Sequence, residues 1–113
     1  LPLAERHQHQ PADKVLAELA REHPRELTVI CLGPASTLAA ALARDPDLPH
    51  HLDRVVLVGG TWKEPGNAGP VSEFHFHLDP DAARTVVRAG FHPLVLPLDV
   101  TRKLVLSPTE LLE

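Results

Sequence analysis

Three short apolar runs, LTVICL at 27–32, RVVLV at 54–58 and PLVLPL at 93–98, limit this chain to very few folds. Each is rich in branched aliphatic residues with little polar alternation, as in strands buried on both faces of a parallel sheet. Pro97 marks the end of the third run or an edge. Helical spacing fills the segments around them. In 11–22, Val15, Leu16, Leu19 and Ala20 share one face, and Pro11 is tolerated in a first turn. His23 precedes a proline and ends that helix. Gly33-Pro34 turns the chain into a second helix with Leu38, Ala39, Leu42 and Ala43 inward, stopped at Asp45-Pro46. Asp79-Pro80 provides an N-cap and an N1 proline for a third helix to about Ala89, with Gly90 as its C-cap. Ser107-Pro108-Thr109-Glu110 matches a capping box and starts a last helix. This order predicts an α/β fold, a mostly parallel sheet with flanking helices. Residues 1–10 lack periodicity and read as a loop or frayed end, and 11–113 form one domain.

Composition narrows the function classes. A net charge of -4 with scattered Lys and Arg leaves no stripe for a phosphate backbone, so no nucleic-acid partner is expected. No apolar run reaches membrane-span length, so no membrane partner is expected either. The single cysteine, Cys31, has no internal disulfide partner and reads as a buried, inert thiol. The chain opens on Leu1 and contains no Met, so this end reads as cleaved or cut. A cytoplasmic, reducing compartment is the default expectation.

Ligands of open α/β sheets bind beyond the carboxyl ends of the strands. Three groups belong there: Leu32-Gly33, the loop at 59–73, and Asp99. Gly59-Gly60 lets backbone approach a ligand but is not a dinucleotide fingerprint, and no phosphate-binding P-loop occurs. Glu73, His75 and His77 alternate with Phe74 and Phe76. An extended segment would place the three polar groups on one face and the Phe pair in the core. That polar face fits a solvated edge, a sugar- or polyol-binding wall, or a metal site of two His and a carboxylate. The metal reading needs a further ligand, for which His92 is a distant candidate. His50-His51 read as a solvated loop. Trp62 is a lid anchor in preference to a stacking platform. Asn67, in a Gly-Asn pair, either takes an unusual turn conformation or donates to a hydroxyl from which Glu73 accepts.

At these residues the chain resembles the inosine/uridine-preferring nucleoside hydrolases. LGPASTLAAAL at 32–42 is similar to the family segment L-G-P-L-T-N-L-A-L-A-L. RVVLVGG at 54–60 resembles its strand ending in M-G-G, and LPLDVT at 96–101 a later strand end. PGNAGPVSEFHFHLDPDAARTVVRAG at 65–90 resembles P-G-N-x-x-P-x-A-E-F-N-x-x-x-D-P-E-A-A. The likeness runs from about residue 11 to 113, in order, and implies a nucleoside-hydrolase-like but incomplete α/β domain.

The resemblance implies hydrolysis of the N-glycosidic bond of ribonucleosides, with a calcium ion held mainly by an N-terminal aspartate cluster. It implies ribose-hydroxyl contacts at Asn67, Glu73 and His75, a pocket-lining role for Val58, and a main-chain oxygen for calcium at Leu32. His75 stands where the family has Asn, and Ser36-Thr37 where it has Thr-Asn. The aspartate cluster and a later His-Asp pair have no counterpart, so no catalytic residue is assigned. The chain alone is expected to be inactive and to bind no calcium by itself. The alternative is a non-catalytic ribose- or nucleoside-binding or assembly module. Open sheet edges predict a homo-oligomer, or completion by another chain segment.

Overall fold

The computed structural model describes residues 10–69, 72–104 and 107–109. Three strands, β1 (Thr28–Cys31), β2 (Arg54–Val58) and β3 (Leu94–Leu96), pair in the order β1-β2-β3, parallel throughout. Three long helices alternate with them: α1 (Ala12–Glu22), α2 (Ser36–Arg44) and α5 (Pro80–Arg88). Short turns of helix, α3 (Leu48–His51), α4 (Phe74–Leu78) and α6 (Leu98–Thr101), fill the connections. The fold is α/β, as the sequence predicts.

Local chemistry accounts for the helix boundaries. Asp79 caps α5, its carboxylate accepting from the Ala82 N–H at 3.1 Å and from the Ser36 hydroxyl at 2.6 Å. The second contact ties the start of α5 to the start of α2. Both bonds favour the charged form, the Ser36 hydroxyl foremost, and hold Asp79 below the ordinary carboxylate range. Pro80 occupies N1, and Gly90 at φ 84° ends the helix in the left-handed conformation that suits glycine.

Register divides the sheet into two unlike faces. Val29–Val55 and Cys31–Leu57–Val95 form the inner rows. They pack against Ala20 of α1, Leu38 and Ala41 of α2, and Ala82 and Val86 of α5. Cys31 is half-buried there, and burial pushes its thiol pKa up, which suits an inert thiol. The outer rows are Ile30–Val56–Leu94 and Val58–Leu96. Ile30 is 59% exposed and Leu94 56%.

Here the sequence reading needs correction: β1 is buried on one face only. The described residues supply one layer of long helices, all on the inner side, and nothing covers the outer rows. Helix faces also shift by a residue. Leu19 is exposed and Ala17 buried in α1, while Ala43 is exposed and Ala41 buried in α2. His50 and His51 belong to the one-turn α3, anchored by fully buried Leu48, rather than to a loop. The expected loop at 1–10 lies outside the described residues up to position 9, and the capping box at 107–110 runs out of them at position 110.

Candidate functional site: a polar wall at the carboxyl end of β2

The segment 73–78 is a turn of helix, not an extended strand. Glu73 sits at its N-cap, and its carboxylate oxygen Oε2 accepts from the Phe76 N–H at 3.1 Å. Asn67 Oδ1 accepts from the Phe74 N–H at 2.8 Å. Two otherwise unpartnered amides of the first turn are thereby satisfied, which favours helix over strand. The expected common face of Glu73, His75 and His77 does not form. Residues two apart lie nearly opposite each other on a helix. His77 is exposed, Phe74 is half-exposed rather than core, and no metal site of these three residues is assembled.

Glu73 and His75 do come together, and both meet the end of β2. Glu73 is only 6% exposed. Its Oε2 also accepts from the Gly60 N–H at 2.9 Å, so the carboxylate locks the glycine turn after β2 to the start of α4. His75 Nδ1 lies 2.9 Å from the Val58 carbonyl and 3.4 Å from Glu73 Oε1. Gly59 and Gly60 are required by the Phe76 ring. A Cβ on Gly59 would fall on its Cδ1 at 2.6 Å, and Gly60 in addition has φ 75°. Asn67 is exposed, one residue on from the close approach of Gly66 to Ser72. Leu32 lies just beyond β1 with its side chain exposed.

Asp99 and Arg102 hold the loop. The Asp99 carboxylate accepts from the N–H groups of Trp62 (2.8 Å), Lys63 (2.9 Å) and Glu64 (3.0 Å). These backbone bonds, the one from Trp62 foremost, hold the Asp99 carboxyl down to about 2. Arg102 donates to Glu64 Oε2 at 3.1 Å and to the Pro65 carbonyl at 2.9 Å. The sequence marked Asp99 by its position after β3 but carried no signal for this double staple. A folded-state pKa below the ordinary carboxylate value means that Asp99 supports the loop fully above pH 4. That support fades as pH falls through about 2. Trp62, the only tryptophan, reports on this loop. Its fluorescence is expected to change between pH 4 and 2, and in Asp99→Ala already to show the low-pH form at pH 7. A pH-independent spectrum shared by both proteins would contradict the role.

Trp62 is 79% exposed, with Lys63 Nζ 4.7 Å from its ring centroid, so it is not the partly buried lid anchor the sequence suggested. It borders a cleft of about 550 Å³, together with Phe76, His77, Val95 and Pro97. Glu73 touches this cleft, but Asn67, His75, Val58 and Leu32 do not. The cleft therefore lies beside the polar wall, against the β3 side of the sheet.

A calcium ion needs six to eight oxygen ligands, several of them charged. At this end of the sheet the two carboxylates nearest the strand ends, Glu73 and Asp99, are each occupied by backbone N–H groups. The described residues contain one cluster of three metal-ligand side chains, Asp45, Asp47 and His51. It lies at the α2–α3 junction, at the opposite end of the strands, and Arg21 Nε sits 3.2 Å from Asp45. The residues present do not fit a calcium site at the wall.

Comparison with known proteins follows this geometry. The family model for inosine-uridine preferring nucleoside hydrolases matches residues 2–113. Uridine nucleosidase 1 of Arabidopsis thaliana is 33% identical over 99% of this chain and 33% of its own length. A non-specific ribonucleoside hydrolase of Escherichia fergusonii is 33% identical over 88% of this chain and 32% of its own. Among solved structures, a purine-preferring ribonucleoside hydrolase from Gardnerella vaginalis superposes with a TM-score of 0.86. It is 28% identical over 94% of this chain and 34% of that one. This chain thus spans about a third of the length of these relatives. With its parallel sheet, its glycine turn after β2 and its capped Glu73 helix, the chain belongs to the inosine-uridine preferring nucleoside hydrolase family.

Proposed function

We propose that this chain forms the sugar-gripping wall of a ribonucleoside hydrolase and does not by itself carry the hydrolytic machinery. The observation that supports the reading is that Asn67 and Glu73 both cap the start of α4, where Glu73 also bonds the Gly60 amide and His75 the Val58 carbonyl at the end of β2. Asn67 and His75 face the ligand hydroxyls. Glu73, buried and doubly bonded, fixes the wall and offers its remaining acceptor capacity at Oε1. Val58 holds the wall through its carbonyl, 2.9 Å from His75 Nδ1. In the complete catalyst, water replaces the base at the anomeric carbon of a ribonucleoside. Carboxylates for a calcium ion, with the Leu32 carbonyl as one ligand, would have to come from outside the described residues.

The expected result is binding without turnover. Purified 113-residue protein with calcium should release no base from inosine, uridine or a chromogenic riboside, yet bind ribonucleosides weakly. Turnover above the uncatalysed rate would overturn the proposal.

The exposed outer rows of the sheet favour a second reading, an assembly module. Parallel sheets occur almost only with both faces covered. Ile30, Val56 and Leu94 form a contiguous apolar strip whose cover would be further polypeptide or a second copy of the chain. A concentration-independent monomer in sedimentation, with no nucleoside binding, would leave neither reading standing.

A further inference from the structure

The inner layer of helices follows the chain across the sheet. α1 packs on α2 and α2 on α5, in step with the strand order β1-β2-β3. Both strand–helix–strand connections place their helix on the same side, as crossovers of one hand do. α2 covers one flank of α5, and among the described residues no long helix covers the other. That bare flank is grooved. The cleft beside Trp62 shares Phe76 and Pro80 with a second, mostly apolar depression of about 310 Å³, formed by Ala83, Arg84, Val87 and Arg88. Val87 is 48% exposed. Arg84 and Arg88 stand one turn apart at its rim, exposed, and make no ion pair among the described residues.

We propose that this groove is the docking site of the chain's own segment 108–113, which as a helix extends the inner layer beyond α5. Pro108 and Thr109 already take helical backbone after Ser107. A helix that follows β3 with the hand of the two earlier connections falls beside α5, on the flank away from α2. In helical register Pro108, Leu111 and Leu112 share one face at spacings of three and four, with Glu110 and Glu113 to the side. The leucines match the apolar groove, and the carboxylates match the two guanidinium groups. Helices that follow parallel strands run side by side from the same end of the sheet. Glu113, in the second turn from Pro108, thus comes level with Arg84, in the second turn of α5. An exposed pair of this kind is weak, so the leucines supply the affinity and the charges choose the register. The site lies across the sheet from the outer rows and does not depend on the sugar-wall reading.

Methyl NMR of the 113-residue protein tests it. Cross-peaks are expected from the Leu111 and Leu112 methyls to those of Ala83 and Val87 and to the Phe76 ring. A mixture of labelled and unlabelled chains separates contacts within one chain from contacts between two. Leu111→Asp combined with Leu112→Asp should abolish these cross-peaks and move the Ala83 and Val87 methyls, while those of Ile30 and Leu94 on the outer rows stay in place. Glu113→Arg should shift the docked–free equilibrium toward free by about two- to threefold, the scale of one exposed ion pair, and Arg84→Glu in the same chain should restore it. Leucine contacts found only between chains overturn the proposal in favour of a second copy. Contacts to Ile30 and Leu94 instead, Ala83 and Val87 methyls that ignore the double substitution, or a charge swap that restores nothing overturn it as well.

Discussion

Replacing Glu73 by Ala is expected to destabilise the domain by about 2–4 kcal/mol, read from the urea midpoint. Two costs combine in this figure. Removing a helix cap costs about 0.5–2 kcal/mol. Leaving buried donors without acceptors costs about 1–3 kcal/mol. Both apply, because one carboxylate oxygen serves the Gly60 and Phe76 amides together. Glu73→Gln separates charge from connectivity. Its amide oxygen can keep both backbone bonds, while its NH2 would meet the Nδ1–H of His75, donor against donor. A stability loss of about 1 kcal/mol or less is expected for this variant, because His75 Nδ1 keeps its nearer partner, the Val58 carbonyl at 2.9 Å. If Glu73→Ala were as stable as the parent, the wall would not be organised around this carboxylate.

Gly66→Ala carries the other large expected effect. A Cβ at Gly66 would overlap the backbone of Ser72, landing 2.6 Å from its carbonyl carbon and closer still to its N and O. Backbone cannot rotate away as a side chain can. The collision therefore breaks the closure made by the Asn67 and Ala68 N–H groups on the Ser72 carbonyl, both 2.9 Å. Overpacking costs about 1–3 kcal/mol. Two lost hydrogen bonds add about 1 kcal/mol each unless water replaces them. A total of about 1–5 kcal/mol is expected, the upper end if water does not replace the lost bonds, or release of the loop together with the Asn67–Phe74 bond, seen as faster exchange of the Phe74 amide. Gly33→Ala is the control. Its added Cβ meets nothing within 4 Å, so a change within about 0.5 kcal/mol is expected. Equal effects from the two substitutions would show that the closure at Ser72 contributes nothing.

Strand positions and the boundaries of the three long helices were legible because one rule governs each. Apolar β-branched runs make strands, Asp79-Pro80 starts a helix, and Gly90 ends one. Burial was legible only in part. LTVICL has the composition of a strand covered twice, but which face is covered depends on elements the sequence pattern cannot position. The polar wall was half legible. Asn67, Glu73 and His75 do gather, through helix capping rather than through strand alternation. FHFHL alternates as a strand would, and only the tertiary contacts of Glu73 with Gly60 and of Asn67 with Phe74 turn it into a helix. Arg102 carried no sequence signal, since a guanidinium bonding loop carbonyls 36 and 37 residues away has no local pattern.

If this wall grips a sugar, adding inosine or free ribose to isotope-labelled protein should shift the amide resonances of Gly60, Phe74 and Phe76. Those three report on the Glu73 and Asn67 contacts directly. The shifts should saturate with no hypoxanthine released over the titration. Unmoved amides at these positions, or movement confined to the α2–α3 junction around Asp45, would contradict the assignment of a ribose site to the end of β2.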